Sequence, residues 1–244
     1  MKRVSGLAIA GAMCLILTGC NKVERINTYH IEIGSHSAVT PVPPPAWWLP
    51  RHEAIVKRVG EGNVDLIFIG DSITYGWEGA GKETWDKYYA HRNAVNMGFS
   101  GDGTQQVLWR LNNGEITDIS PKLVVIMIGT NNRYNSPKEI SDGIIAICQK
   151  IRQDLPKTKI LVLSIFPCDP NTSSPNRLKL AEASLIASGI ADNRWIYYLN
   201  INDSFLDKDG NLSPTIMPDY LHPNAKGYQI WAEAIEPTVK NLMK

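Results

Sequence analysis

The sequence predicts an α/β fold: three layers, α/β/α, around a central, mostly parallel five-stranded sheet. Two observations carry this. Short apolar runs recur at 64–69, 93–97, 123–128, 159–166 and 195–199, and segments of helical character alternate with them. The runs are apolar nearly throughout rather than at every second residue, as expected of strands covered on both faces.

The chain opens MKRVSGLAIAGAMCLILTGC. Lys2 and Arg3 precede an apolar run shorter than the roughly 20 residues of a membrane span. Small residues then lead to a cysteine, which is the layout of a secretory signal. The end of this stretch, Leu17-Thr18-Gly19-Cys20, resembles a bacterial lipobox. That resemblance implies a signal peptide over 1–19, cleavage before Cys20, lipid on its sulfur, and an exported lipoprotein held at a membrane of the bacterial cell envelope. An ordinary signal cut nearby and an uncleaved anchor are the alternatives. Removing residues 1–19 from 244 leaves 225, enough for one large α/β domain.

Residues 20–46 read as the lipidated cysteine and a tether ending in TPVPPPAWW. The prolines favour an extended, semi-rigid spacer, while Trp47 and Trp48 would let the same segment lie as a strap on the domain. The domain itself is expected over 47–244. Its first helix is RHEAIVKRVGEG, with Ala54, Ile55 and Val59 at helical spacing and Gly60 and Gly62 as stop signals. Further helices are expected at 103–112, 137–154 and 176–188, with a last one near 224–243.

Composition narrows the function. The formal charge of +1 becomes about −1 once Lys2 and Arg3 leave, and no long basic run exists, so nucleic acid is not an expected partner. Of four cysteines, Cys14 lies in the signal and Cys20 at the lipid site. Cys148 and Cys168 have no second Cys or His at zinc-ligand spacing, and Cys148 sits in an apolar helical pattern, as a buried thiol would. No metal site and no cofactor are expected.

Ligand sites in parallel sheets lie beyond the carboxyl ends of the strands. Polar clusters fall there: Gly70, Asp71, Ser72 and Thr74 after the first strand, NMGFSGDG after the second, GTNN after the third, and DYLHPN after the fifth. A serine hydroxyl needs a base in reach, and the base needs an orienting partner. Of the five histidines, His30 and His36 lie in the tether, His52 precedes a helix and His91 is in a polar loop. His222 alone falls in such a cluster, three residues after Asp219. Taken alone, that pair reads equally well as a cap before the last helix, with Pro223 and Asn224 as start signals. Glycines 98, 101 and 103 allow close backbone approach, and Asn131 adds an amide donor.

Together GDSIT, GFSGDGT, GTNN and DYLH resemble the four blocks of the SGNH (GDSL-type) hydrolases, whose sheet is flavodoxin-like. The longer run NMGFSGDGTQQVLWRLNNGEI…PKLVVIMIGTNN is similar to the catalytic subunits of intracellular platelet-activating-factor acetylhydrolases of the beta/gamma type and their bacterial relatives. The resemblance covers roughly 50–244. It implies Ser72 as nucleophile, His222 as general base and acid, Asp219 as its orienting partner, and an oxyanion hole formed by the Ser72 and Gly101 N–H groups and the Asn131 side chain. Asp71 is expected to shape the turn. GDSIT is not the G-x-S-x-G elbow, because residue 74 is threonine.

The function so implied is an esterase acting on short acyl groups, acetyl above all. The exported context points to O-acetylated carbohydrate as substrate. A lysophospholipase or thioesterase with the same triad is the main alternative, and a catalytically silent glycan-binding lipoprotein is a further one. Trp77, Trp85, Tyr88 and Tyr89 are expected to pack a helix on the sheet rather than line a cleft, and Trp109 to lie in the core.

Overall fold

The computed structural model describes residues 32–244. The signal-like segment, Cys20, His30 and the first part of the tether lie outside the described residues.

Five strands form one parallel sheet: β1 (Leu66–Gly70), β2 (Ala94–Gly98), β3 (Leu123–Met127), β4 (Lys159–Leu163) and β5 (Ile196–Leu199), in the order β2-β1-β3-β4-β5. The fourth expected strand is thus shorter than its apolar run, which continues as the buried loop residues Ile165 and Phe166. Among the described residues, seven α-helices connect and cover the strands: α1 (Leu49–Gly60), α2 (Ser72–Tyr75), α3 (Lys82–Tyr88), α4 (Thr104–Asn112), α5 (Pro137–Asp154), α6 (Pro175–Ser188) and α7 (Ala225–Leu242). Helix α3 was not expected. Its seven residues, KETWDKY, show no apolar stripe, and tertiary packing on α7 accounts for it.

Alternate residues of each strand face opposite layers. Ile67, Ile69, Val124 and Ile126 meet α1, α4, α5 and α6 on one side. On the other side Leu66, Phe68, Val125 and Met127 meet α7 and the aromatic group around Trp77. Trp77 and Tyr89 are fully buried there against Phe68 and Trp231, which makes them packing residues.

Trp109 departs from expectation. It is only half-buried, against the His52 ring, and its helix instead buries Arg110 completely. The inversion has an electrostatic cause: Arg110 Nε donates to Asp102 Oδ2 at 2.9 Å, and Nη1 reaches Glu115 Oε2 at 2.5 Å. His52, which lies inside α1, bonds the other oxygen of Glu115 at 2.9 Å. Buried charge is tolerated when paired in this way.

The proline-rich segment is a strap over residues 36–48. His36 Nε2 lies 3.3 Å from Asp142 Oδ2, Asn135 donates to Ser37 Oγ, and the Thr104 hydroxyl donates to the Ala38 carbonyl at 2.7 Å. Trp48 is buried, while Trp47 is 66% exposed. Cys148 and Cys168 are both free and buried, and burial pushes their thiols up to about 12 and about 11.

Candidate active site

Gly70, Gly98 and Met127 end β1, β2 and β3 in register on one sheet edge. The chain leaving β1 crosses to β2 on one side, whereas β3 lies on the other. The crevice between β1 and β3 is therefore where such a sheet opens for a ligand. Ser72 follows β1 by two residues, and Asn131 follows β3 by four.

Asp71 starts the serine turn. As N-cap of α2 its Oδ1 accepts from the Ile73 N–H at 2.9 Å, and it is fully buried. Burial raises its pKa to about 7; the Ile73 N–H and the Thr130 hydroxyl draw it partly back, and Asp102 pushes it up. Behind the turn, the Tyr228 hydroxyl of α7 donates to the Ile73 carbonyl at 2.7 Å. The turn is thus held from the core side.

Ser72 Oγ lies 2.8 Å from His222 Nε2, across 150 residues of chain. On the other side of the ring, Nδ1 is 2.6 Å from Asp219 Oδ2. Asp219 Oδ1 accepts from the Leu221 and His222 N–H groups at 3.1 and 2.7 Å, closing a tight turn in which Tyr220 is left-handed, with φ +56°. Burial opposes ionisation of Asp219, but the bonds from His222 outweigh it and hold the carboxyl below its usual range. An ionised carboxylate only accepts, so Nδ1 carries the proton, and in the neutral ring Nε2 is the acceptor of the serine O–H. The last helix is capped separately: Asn224 Oδ1 accepts from the Gly227 N–H. Asp219 and His222 are not its cap.

Gly101, with φ +84°, and Asn131 flank this group in the loops after β2 and β3. One Asn131 Nδ2 hydrogen goes to the Asp102 carbonyl at 2.9 Å, which orients the amide and leaves its second hydrogen available. Among the described residues, neither the Ser72 nor the Gly101 N–H is shown donating to another group. The arrangement offers a polarised hydroxyl and a proton acceptor, with uncommitted N–H donors in the adjoining loops. That set suits acyl transfer.

His222 and Asp219 side chains are 41% and 55% exposed, so the group lies at the surface, open to a bulky substrate. Beside it is a hollow of about 250 Å³ lined by Thr130, Arg133, Asp169, Asn176, Asp219 and Leu221, among others, with Leu221 its sole aliphatic side chain. A larger hollow of about 430 Å³ runs between α1 and α3 along β2 and includes none of the expected site residues. Among the described residues, no three His, Cys, Asp or Glu side chains converge as a metal site. Arg133, Arg110 and Trp48 belong to none of the polar clusters that follow the strands in the sequence. An arginine on the apolar stripe of α4, between Val107 and Leu111, was the signal available for Arg110.

The profile of the GDSL-like Lipase/Acylhydrolase family matches residues 68–230. Human platelet-activating factor acetylhydrolase IB subunit alpha1 is 31% identical over 196 residues, 80% of this chain and 84% of that one. The rat alpha2 subunit is 32% identical over 200 residues, 81% and 85% of the two chains. Among solved structures, a GDSL-like lipase from Bacteroides thetaiotaomicron matches with TM-score 0.64 at 20% identity, covering 80% of this chain and 96% of that one. An acetylxylan esterase from Geobacillus stearothermophilus matches with TM-score 0.57 at 20% identity, covering 74% and 94%. At those identities the structural likeness speaks for the fold.

Proposed function

Since the chain belongs to the GDSL-like lipase/acylhydrolase family and is a carboxylic-ester hydrolase, we propose that it removes short acyl groups, acetyl above all, through an acyl-enzyme on Ser72. The observation that carries this reading is the continuous chain Ser72–His222–Asp219, with links of 2.8 and 2.6 Å.

In this reading Ser72 Oγ attacks the ester carbonyl carbon while His222 Nε2 takes its proton. Asp219 holds the ring and stabilises the imidazolium. The carbonyl oxygen becomes an oxyanion facing the Ser72 and Gly101 N–H groups and the Asn131 amide, each donor worth about 3 to 4 kcal/mol of barrier. Collapse expels the alkoxide, which leaves as the alcohol with the proton from His222. Water then attacks the acyl-serine, giving its proton to His222. The second collapse releases the acid and restores the Ser72 hydroxyl.

Support for a short acyl group comes from the acetylhydrolase names of the curated relatives. The polar hollow beside Asp219 supports a hydroxyl-rich alcohol: it offers hydrogen-bonding groups where an alkyl chain needs apolar walls. We take O-acetylated carbohydrate as the substrate class and an exported protein anchored by lipid at Cys20 as its setting, the latter motivated by Leu17-Thr18-Gly19-Cys20. A second reading, acetyl hydrolysis on a phospholipid, is favoured by what the curated relatives are called.

Product analysis on a mixture of acetylated polysaccharides and phospholipid esters separates the two. Acetate released from polysaccharide supports the first reading, whereas turnover confined to phospholipid reverses it. With p-nitrophenyl esters the rate is expected to peak at acetate; a preference for eight carbons or more rules out the short acyl pocket. Palmitate labelling that disappears in Cys20→Ser tests the anchor.

A further inference from the structure

The peptide between Ser100 and Gly101 is held by its carbonyl. Trp48 Nε1 donates to the Ser100 oxygen at 2.8 Å. A trans peptide is planar, so the carbonyl of residue 100 and the N–H of residue 101 point in opposite directions. Whatever fixes the oxygen also aims the hydrogen.

The Asp102 N–H donates to the Phe99 carbonyl at 3.3 Å and closes a turn around this peptide, but that bond lies outside the plane and does not fix its rotation. Gly101 is exposed, has φ +84°, and shows nothing within 4 Å of where a Cβ would sit. Rotation of a peptide unit beside glycine needs only soft torsions. By contrast the Trp48 indole is immobilised. It is 7% exposed and lies edge-on to Tyr75 at 5.2 Å and Phe99 at 5.3 Å, so it touches the serine turn and the glycine loop together. The carbonyls on either side are tied as well. Arg51 Nε donates to Gly98 at 2.9 Å, and Asn131 Nδ2 donates to Asp102 at 2.9 Å. Ser100 is the one of the three whose donor comes from the strap.

We propose that Trp48 is a positioning residue for the oxyanion hole: by holding the Ser100 carbonyl it aims the Gly101 N–H at the developing charge. The strap that ends at Trp48 is then part of the hydrolytic apparatus and not only a connection to the amino terminus. This rests on the reading above, in which the Gly101 N–H serves the oxyanion.

The test is Trp48→Phe in the full chain, which keeps a ring against Tyr75 and Phe99 and removes the N–H. For p-nitrophenyl acetate, kcat is expected to fall about tenfold or more with KM within about twofold, because the lost interaction exists only in the transition state. Affinity for a boronic acid that forms a tetrahedral adduct on Ser72 falls by the same factor as kcat/KM. Affinity for the product carboxylate stays. Replacing Trp48 by benzothienylalanine, in which sulfur takes the place of the N–H, gives the same losses without a change of shape. Unchanged kcat in either folded variant, alongside a large loss in Asn131→Ala, overturns the role of Trp48 and leaves the oxyanion reading standing. Unchanged kcat in all three overturns both. A loss of activity matched by an equal loss of folded protein assigns Trp48 to stability alone and also overturns the proposal.

Discussion

Gly98 presses on the backbone of Tyr75: a Cβ at position 98 would lie 2.2 Å from the Tyr75 nitrogen and 2.5 Å from the Thr74 carbonyl carbon. The end of β2 and the turn bearing Ser72 are therefore in direct backbone contact, and only glycine permits it. Gly98→Ala is expected to cost about 1 to 3 kcal/mol of stability, as overpacking against rigid backbone does. It should also lower kcat by shifting Ser72 from His222. Urea denaturation and ester hydrolysis on the same preparation check both; a stable, fully active variant would show that the contact relaxes freely.

Ser72→Ala is expected to abolish turnover, and His222→Ala to come close to it, since the hydroxyl and its proton acceptor act as one unit. Melting temperatures should move little, because both side chains are part-exposed at the sheet edge. Labelling by a fluorophosphonate reports the same unit directly and should vanish in Ser72→Ala.

Asn131→Ala should lower kcat by about 10² to 10³. The same change also frees the Asp102 carbonyl, so some loosening of the 101–103 loop accompanies it. Asn131→Asp separates the two effects, because it removes the amide donor and adds a negative charge beside the oxyanion. It is expected to be the worse of the pair in steady-state kinetics. Full activity in Asn131→Ala would leave the triad in place and remove the amide from the hole.

The fold was legible for physical reasons, whereas the grouping of Ser72, Asp219 and His222 was legible through the resemblance carried by GDSIT and DYLH. Strands buried on both faces leave unbroken apolar runs, and the polar residues after them have nowhere to go but the sheet edge. Trp48 and Arg110 were not legible. Trp48 finds its acceptor 52 residues away, in a loop with no periodic signal, and it sits in a proline stretch that reads equally as spacer or strap. Polarity alone predicts Trp109 inward on α4. The carboxylates of Asp102 and Glu115 reverse that choice, and nothing in a hydrophobic pattern records where carboxylates will converge. Helix α3 was missed because its stability comes from α7 and not from its own sequence.

Asp71 sets a pH dependence. Its carboxyl has a pKa near 3.9 in the unfolded chain and about 7 in the folded protein, so the folded state binds the proton more tightly. The stability tied to Asp71 is therefore full below about pH 4, declines as pH rises towards 7, and is gone above it. Asp71→Asn keeps an oxygen for the Ile73 N–H and cannot ionise. The variant should gain on the parent between about pH 4 and 7, and the difference should level off beyond. Urea midpoints across that range measure it; a difference independent of pH would show that the Asp71 carboxyl is ionised throughout.

Among the described residues, Arg110 is the largest charged side chain that is fully buried, and its single cation is shared by two carboxylates that are equally buried. Its guanidinium also lies 4.0 Å from the Phe99 ring centroid, directly behind the glycine loop. Arg110→Met removes the cation and keeps most of the volume. Asp102 would then be left without its cation while Glu115 keeps only His52, a loss expected to cost about 3 to 5 kcal/mol at neutral pH. Even with Arg110 present, burial lifts Asp102 to about 6, so without it the carboxyl should take up a proton more readily still. The penalty should therefore shrink as pH falls towards 5, where protonation neutralises the stranded acid. Melting temperatures of parent and variant at pH 5 and pH 8 provide the check. A penalty equal at the two would mean that the lost packing, and not the stranded charge, governs the site.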